Sequence, residues 1–428
     1  MKPEIKQRID QLNNGEIPDG YKKTEFGVFP CDWVTDRTFG DLFEFYGGLG
    51  KSRDELGEEG YAYLHYGDLH RGSFNKVSFE QYVQLPKCDI ALTGKETCLM
   101  EDGDVAFLDA SEDLEGTSRA VLIDNPDNKT FIAGLHIIFG KSKDDCLEKW
   151  YKQYITSSES VKKQFQRLSV GFKVYGVNRD SLPKIQIAYP PSLQEQSRIG
   201  EILMKWDEVI ELQEKTIEKL YIKRDAIFQR IIKKKDGWHQ VQLSDVLLER
   251  NEFATKDDGY PHASLTKLGV SLKTDRYNRD FLVKSDDKKY KITHTNDICY
   301  NPANLKFGVI CINKCEFDAI FSPIYVTYEV SSEYNTDFIG AVLCSNDFIR
   351  YIRKYEEGTV YERQAVKSAD FVRGVIWVPD TKDEQDQIAS IISIVNNQIQ
   401  KEVELCDSLK LQRKALQQYL LNGIVRVQ

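Results

Sequence analysis

The chain has 428 residues, 41% of them apolar, with 58 Lys and Arg against 67 Asp and Glu for a net charge of −9. That suits two or three domains with buried cores and excludes collagen-like, low-complexity and disordered classes. No apolar run reaches the roughly 18 residues of a membrane span. The start, Met1-Lys2-Pro3-Glu4, shows no signal-peptide core, so a cytoplasmic protein without a membrane partner is expected.

In chain order, residues 1–43 read as a lead-in with a short helix from about Glu4 to Leu12. Residues 44–189 hold short alternating strands and turn residues, a β-rich globular unit. Residues 190–236 then carry apolar groups at steps of four and three, Ile199, Leu203, Trp206, Ile210, Gln213, Ile217, Leu220, Arg224, Ile227 and Ile231. A 3.5-residue period kept this long marks a coiled-coil seam. Pro190 precedes it, and a helix from about Leu193 to Lys235 is expected to run about 60 Å. Residues 237–378 repeat the β-rich pattern. Residues 379–428 repeat the rod, with Ile388, Ile392, Val395, Ile399, Glu402, Cys406, Leu409, Arg413, Leu416 and Leu420 on its seam.

The duplication is explicit. Pro190 through Glu195-Gln196 to Ile199 recurs as Pro379 through Glu384-Gln385 to Ile388, at an offset of 189 between Glu195 and Glu384. Gly103-Asp104-Val105-Ala106-Phe107 and Gly134-Leu135-His136-Ile137 parallel Asn296-Asp297-Ile298-Cys299-Tyr300 and Ser322-Pro323-Ile324-Tyr325. The fold class expected is α+β: two β-rich mixed units separated by two long antiparallel helices in a pseudo-twofold repeat. Matching polar seam residues predicts a register with Arg224 facing Glu402, Gln213 facing Arg413 and Trp206 facing Leu420, because a neighbouring register buries them without partners.

This architecture resembles the specificity subunits of type I restriction–modification systems. The resemblance rests on Tyr21-Lys22-Lys23-Thr24-Glu25-Phe26-Gly27-Val28-Phe29-Pro30 with Trp33, on Pro-x-x-x-x-Glu-Gln before both helices, and on Leu416 to Val427. Asp297-Ile298-Cys299-Tyr300-Asn301-Pro302 through Gly308, followed by Ser322 to Tyr325, is similar to a stretch of that family's recognition domains. It implies two target recognition domains, each reading half of a bipartite site in double-stranded DNA, and helices that dock two modification subunits. Those partners would use S-adenosylmethionine to methylate adenine at N6, and restriction subunits would use ATP and Mg. No cofactor is expected on this chain, and no catalysis.

Local motifs agree with a non-catalytic chain. Gly47-Gly48-Leu49-Gly50-Lys51-Ser52 ends like a phosphate-binding loop, but Phe45 stands where the motif needs its first Gly. Asn301-Pro302-Ala303-Asn304 lacks the aromatic that stacks on a flipped base in amino-methyltransferases. Asp286-Asp287-Lys288 reads as a solvated loop. Nine scattered cysteines, with Cys311 and Cys315 the only close pair, read as free thiols, and six histidines offer no metal spacing.

Candidate DNA contacts are side chains able to reach base edges or phosphates. In the first unit these are Lys51, Arg53, Tyr63, His65, Asp68, His70, Arg71 and Ser73. In the second they are Tyr260, His262, Ser264 and Lys267, then Lys273 and Arg276 with Arg279, and the loop of Asn301, Asn304 and Lys306. The basic stretch Lys219–Lys235 reads as a solvated helix face, with phosphate contact as the alternative. Two other functions fit parts of the pattern: a coiled-coil scaffold with two protein-binding globules, which the acidic balance favours, and a stand-alone adenine methyltransferase, which the altered Asn-Pro motif disfavours.

Overall fold

The computed structural model describes residues 2–71, 76–77, 84–89, 98–111, 119–127, 129–169, 175–255, 258–266, 269–272, 289–357 and 364–427. The helices named below are α1 (Pro3–Asn13), α2 (Tyr66–Arg71), α3 (Lys149–Ile155), α4 (Glu159–Leu168), α5 (Leu193–Ile231), α6 (Thr336–Leu343), α7 (Asn346–Ile352) and α8 (Lys382–Leu421). The chain forms two units, Met1–Leu212 with Cys406–Gln428, and Gln213–Leu405. The division falls inside α5 and α8 rather than at their ends, so both helices join the two units.

In the first unit a sheet orders its strands Phe43–Gly47, Ile137–Ser142, Val105–Leu108, Ala120–Ile123 and Lys76–Val77. Alternation sends Val105 and Phe107 to one face, where they pack with Tyr151 of α3, Phe165 of α4 and Ile199 and Leu203 of α5. Ala106 and Leu108 face the other way, onto Leu64 and Leu69 beside a second sheet built around Tyr61–Leu64 and Phe131–Ala133. The last turns of α8 finish the first core with Leu420 and Leu421.

The second unit repeats this order with Leu247–Glu249, Val326–Val330, Ile298–Tyr300 and Ile310–Ile312. Ile298 and Tyr300 face α6, α7 and the start of α8, whereas Cys299 and Cys311 face Ala263, Leu265 and Phe321. Phe228 and Ile231, near the end of α5, pack with Ile388 and Ile392. The helix stops at Ile231, about a turn before the expected Lys235, because the chain bends through Gly237 (φ +79°) into the strand Trp238–Gln242.

The Glu-Gln pairs fasten each rod to its globule. Gln196 is fully buried; its Oε1 accepts from the Glu148 N–H at 2.8 Å, and its Nε2 donates to the Cys146 and Pro190 carbonyls at 2.9 Å each. In the second copy Gln385 accepts from the Asn335 N–H at 3.0 Å. Glu148 and Asn335 are the N-cap residues of α3 and α6. The neighbouring carboxylates diverge: Glu384 accepts from the Trp238 indole N–H, while Glu195 is held by Arg426, which also clasps Asp32. Trp33, the counterpart of Trp238, therefore lies under Arg426 with no partner for its N–H among the described residues. Gly423 turns the chain out of α8 at φ +68°, and a Cβ there would sit 2.4 Å from Pro30.

The seam register differs from the expected one. Gln213 donates to the Glu402 carboxylate at 2.7 Å and to its carbonyl at 3.1 Å. Arg224 instead holds Asp225 at 2.7 Å and lies over Tyr221 and Phe228. Arg413 pairs with Asp207 at 2.8 Å and Gln417, and Leu420 packs in the first core while Trp206 is half-buried outside it. Only Gln213 and Glu402 meet across the seam; Arg224 and Arg413 find carboxylates beside it, at Asp225 and Asp207, so they need not face Glu402 and Gln213.

Candidate nucleic-acid interface

In the first unit the structure gathers the loop before residue 56, the end of the strand Tyr61–Leu64, the start of α2 and the turn near residue 135. Gly48 permits this: a Cβ on it would meet the Gly134 carbonyl oxygen at 1.8 Å, and the Leu49 N–H bonds to the Ala133 carbonyl at 2.8 Å. The glycines that resemble a phosphate loop thus serve a backbone-to-backbone contact. Tyr63 is the hub beneath. Its hydroxyl donates to the Leu49 carbonyl at 2.5 Å and accepts from the Lys51 and Leu135 N–H groups at 3.2 Å. Tyr63 was expected among the outward groups; it is buried, because its position on the strand points inward and its hydroxyl organises two loops.

Above that hub lie Lys51, Arg53, His65 and Asp68. Lys51 pairs with Glu55 at 2.8 Å, and the largely exposed Arg53 stands 4.0 Å from Asp68. Asp68 accepts from the His65 N–H at 3.2 Å, and His65 Nδ1 accepts from the Gly67 N–H at 3.1 Å. Burial holds the His65 imidazole below its ordinary pKa, and nearby Arg53 pushes the same way. A neutral ring with one nitrogen free offers a hydrogen-bond group rather than a charge. The side chains of His70 and Arg71, and all of Ser73, lie outside the described residues.

Sequence reasoning missed three groups of this cluster. Tyr66 lies between the His65 and His136 rings, at 5.1 and 5.8 Å, and His136 bonds Asp109 at 3.0 Å. His136 adopts φ +67°, uncommon for a residue with a side chain. Its place in the repeated Gly134–Ile137 turn was the available signal. Donors and acceptors mix here without a strong excess of cations, a composition suited to base edges more than to phosphates.

In the second unit Tyr260 is half-buried, His262 packs edge-on against Tyr290 at 4.8 Å, and Ser264 meets Ser271 at 3.2 Å across a hairpin. Lys267, Lys273, Arg276 and Arg279 lie outside the described residues, as does Asp286-Asp287-Lys288. Asn301, Asn304 and Lys306 do not join this group. Leu305 sits in the core with Ile349 of α7, which places that loop on the helix side of the sheet. Asn301 itself is buried and caps a turn through the Ala303 N–H, whereas Asn304 is exposed and Lys306 lies over Phe307.

Both units place the same turn before the central strand. The Glu101 N–H donates to Asp104 and the His294 N–H to Asp297, each at 2.8 Å, beside left-handed Gly103 and Asn296. Arg250 neutralises Asp297 at 2.8 Å, but Asp104 has no such pair and burial raises its carboxyl to about 6. An acid raised in the folded state favours folding below its unfolded value near 3.8, and that contribution is lost as pH climbs through about 6. Asp104→Asn keeps an acceptor and removes the charge. Its stability relative to the parent is expected to improve between pH 4 and 7 by up to roughly 3 kcal/mol; urea midpoints across that range test this, and a pH-independent difference contradicts it.

Among the described residues no group of three or more His, Cys, Asp or Glu side chains is placed to hold a metal, and no helix is long and apolar enough to cross a membrane. Residues 30–221 match the family model of the type I restriction modification DNA specificity domain. A chain from a structure describing complex assembly and conformational transition of the type I R-M system shares the fold at TM-score 0.54 and 12% identity, covering 96% of this chain and 100% of that one. The type I restriction–modification S subunit from M. genitalium aligns at TM-score 0.49 and 14% identity, over 91% of this chain and 96% of its own. The HsdS subunit from Thermoanaerobacter tengcongensis aligns at TM-score 0.39 and 14% identity, over 96% and 98%. Residues 30–221 thus match a type I restriction modification DNA specificity domain, and the sheet order of that segment is repeated in the second unit.

Proposed function

We propose that the chain recognises a bipartite DNA site, one half through each globule, for enzymes it does not itself contain. The observation that carries this is the duplication: one sheet order and one Glu-Gln attachment occur twice on a pair of shared helices. Two equivalent readers suit two half-sites, and the helices between them suit a fixed spacing. In the first globule Arg53, His65, Asp68 and His136 are the groups assigned to DNA. In the second they are His262 and Ser264, with Lys267, Lys273 and Arg276.

The helices would dock two modification subunits. Large apolar side chains stay exposed along them, Leu212 and Ile222 at 64% and Ile394 and Leu411 at 69%, a pattern that suits cover by partner helices. Those subunits would bind S-adenosylmethionine and methylate adenine at N6, and restriction subunits would use ATP and Mg. At a net charge of −9 the isolated chain should hold DNA weakly, and added subunits should tighten binding and steepen its salt dependence. The purified chain incubated with labelled S-adenosylmethionine and DNA is expected to transfer no methyl group until modification subunits are added. Transfer by the chain alone, or tight specific DNA binding without partners, contradicts the reading.

A further inference from the structure

A pocket of about 280 Å³ opens in the first unit between the hairpin Tyr21–Pro30 and α4. Lys23, Lys163 and Arg167 line it with Thr24, Ser160 and the acidic Glu25. Lys23 and Arg167 make no ion pair among the described residues, and Lys163 reaches Glu159 only at 3.9 Å on the surface. The pocket therefore keeps a local positive charge in an acidic chain. Its place in the fold matters more. Val161 and Phe165 of α4 pack on the face of the sheet that carries Val105 and Phe107, whereas the Arg53–His65 cluster belongs to the opposite side, with Leu64 and Leu69. A duplex held by the loop cluster has the sheet between itself and this pocket.

The second unit has a counterpart. Its α7 holds the place of α4, on the face of the sheet that carries Ile298 and Tyr300. Arg350 there is 80% exposed and 3.9 Å from Asp347. Just beyond, the Lys354 ammonium lies 4.0 and 4.8 Å from the Tyr351 and Tyr355 rings, with no carboxylate partner among the described residues.

We propose that these two cationic helix faces, Lys23–Lys163–Arg167 and Arg350–Lys354, each dock an acidic protein surface, one copy of the same partner subunit per globule. The partner is a protein rather than DNA because both faces lie on the side away from the base-reading loops. It is present twice because the feature is repeated. The proposal rests on the reading of the chain as a subunit that binds two modification subunits.

Charge reversal tests it in the full chain. Lys23→Glu with Arg167→Glu alters one face, and Arg350→Glu with Lys354→Glu the other; all four side chains lie on the surface, and unchanged melting curves confirm the fold. Native mass spectrometry counts modification subunits bound as salt rises, and gel shifts follow binding to a duplex of mixed sequence. Each double variant is expected to lose one of two subunits, with affinity for it down roughly tenfold or more, while DNA binding by the chain alone stays unchanged. Lys23→Arg with Arg167→Lys should keep both. Two subunits retained in both variants, or a fall in DNA binding with assembly intact, overturns the proposal. A parent chain that recruits no modification subunit fails at the underlying reading instead.

Discussion

Exchanging residues 44–189 for the matching segment of a relative with a different target is expected to change one half of the methylated DNA site and leave the other half unaltered. Each globule builds its own cores, the first from residues such as Phe107, Tyr151 and Phe165, the second from Tyr300, Tyr328 and Phe371. The joint to the rod asks little of the globule's sequence, because Gln196 bonds only main-chain groups of Cys146, Glu148 and Pro190, and Gln385 the main chain of Asn335. A foreign globule that presents the same backbone can be grasped in the same way. Methylation mapping of the hybrid, assembled with modification subunits, reads the outcome; altered bases in both halves would sink the modular account.

Gln196→Ala should be among the most damaging single substitutions outside the apolar cores. The side chain is fully buried, and its loss leaves the Pro190 carbonyl stranded out of reach of water and the Glu148 N–H and Cys146 carbonyl without their partner in a partly buried joint. Unsatisfied groups cost about 1–3 kcal/mol each when fully buried, and with two of the three only partly buried a total of about 3–5 kcal/mol is expected. Gln385→Ala, with its single bond to Asn335, should cost less, and exposed Gln194→Ala under about 0.5 kcal/mol. Denaturant midpoints of the three variants rank them; equal losses for Gln196 and Gln194 would show that the motif is no fastening.

Much of this was legible before any coordinates, for physical reasons. A seam period kept through Ile199–Ile231 and Ile388–Leu420 can only be a long helix, and Pro190 and Pro379 mark where each begins. The Asp104 and Asp297 turns are alike in sequence and in hydrogen bonding because one short polar residue must cap the same backbone twice. The register was not legible, since Arg224 and Arg413 are long enough to leave the seam for Asp225 and Asp207. Nor was the inward direction of Tyr63, or the distance between the Asn301–Lys306 loop and the Tyr260–Ser264 group. Which face of a sheet a loop closes over depends on pairings far along the chain. Contacts such as Tyr66 with His136 have the same origin and carry no local pattern.

On the proposed function, this chain chooses the DNA sequence for modification subunits that carry the chemistry. Mapping N6-methyladenine across the DNA of cells that express the modification subunits, with and without this chain, tests it most directly. One bipartite motif is expected, two short specific halves around an unspecified spacer, present only when the chain is present. Methylation at the same motif without the chain, or an uninterrupted motif with it, would show that the chain does not choose the site.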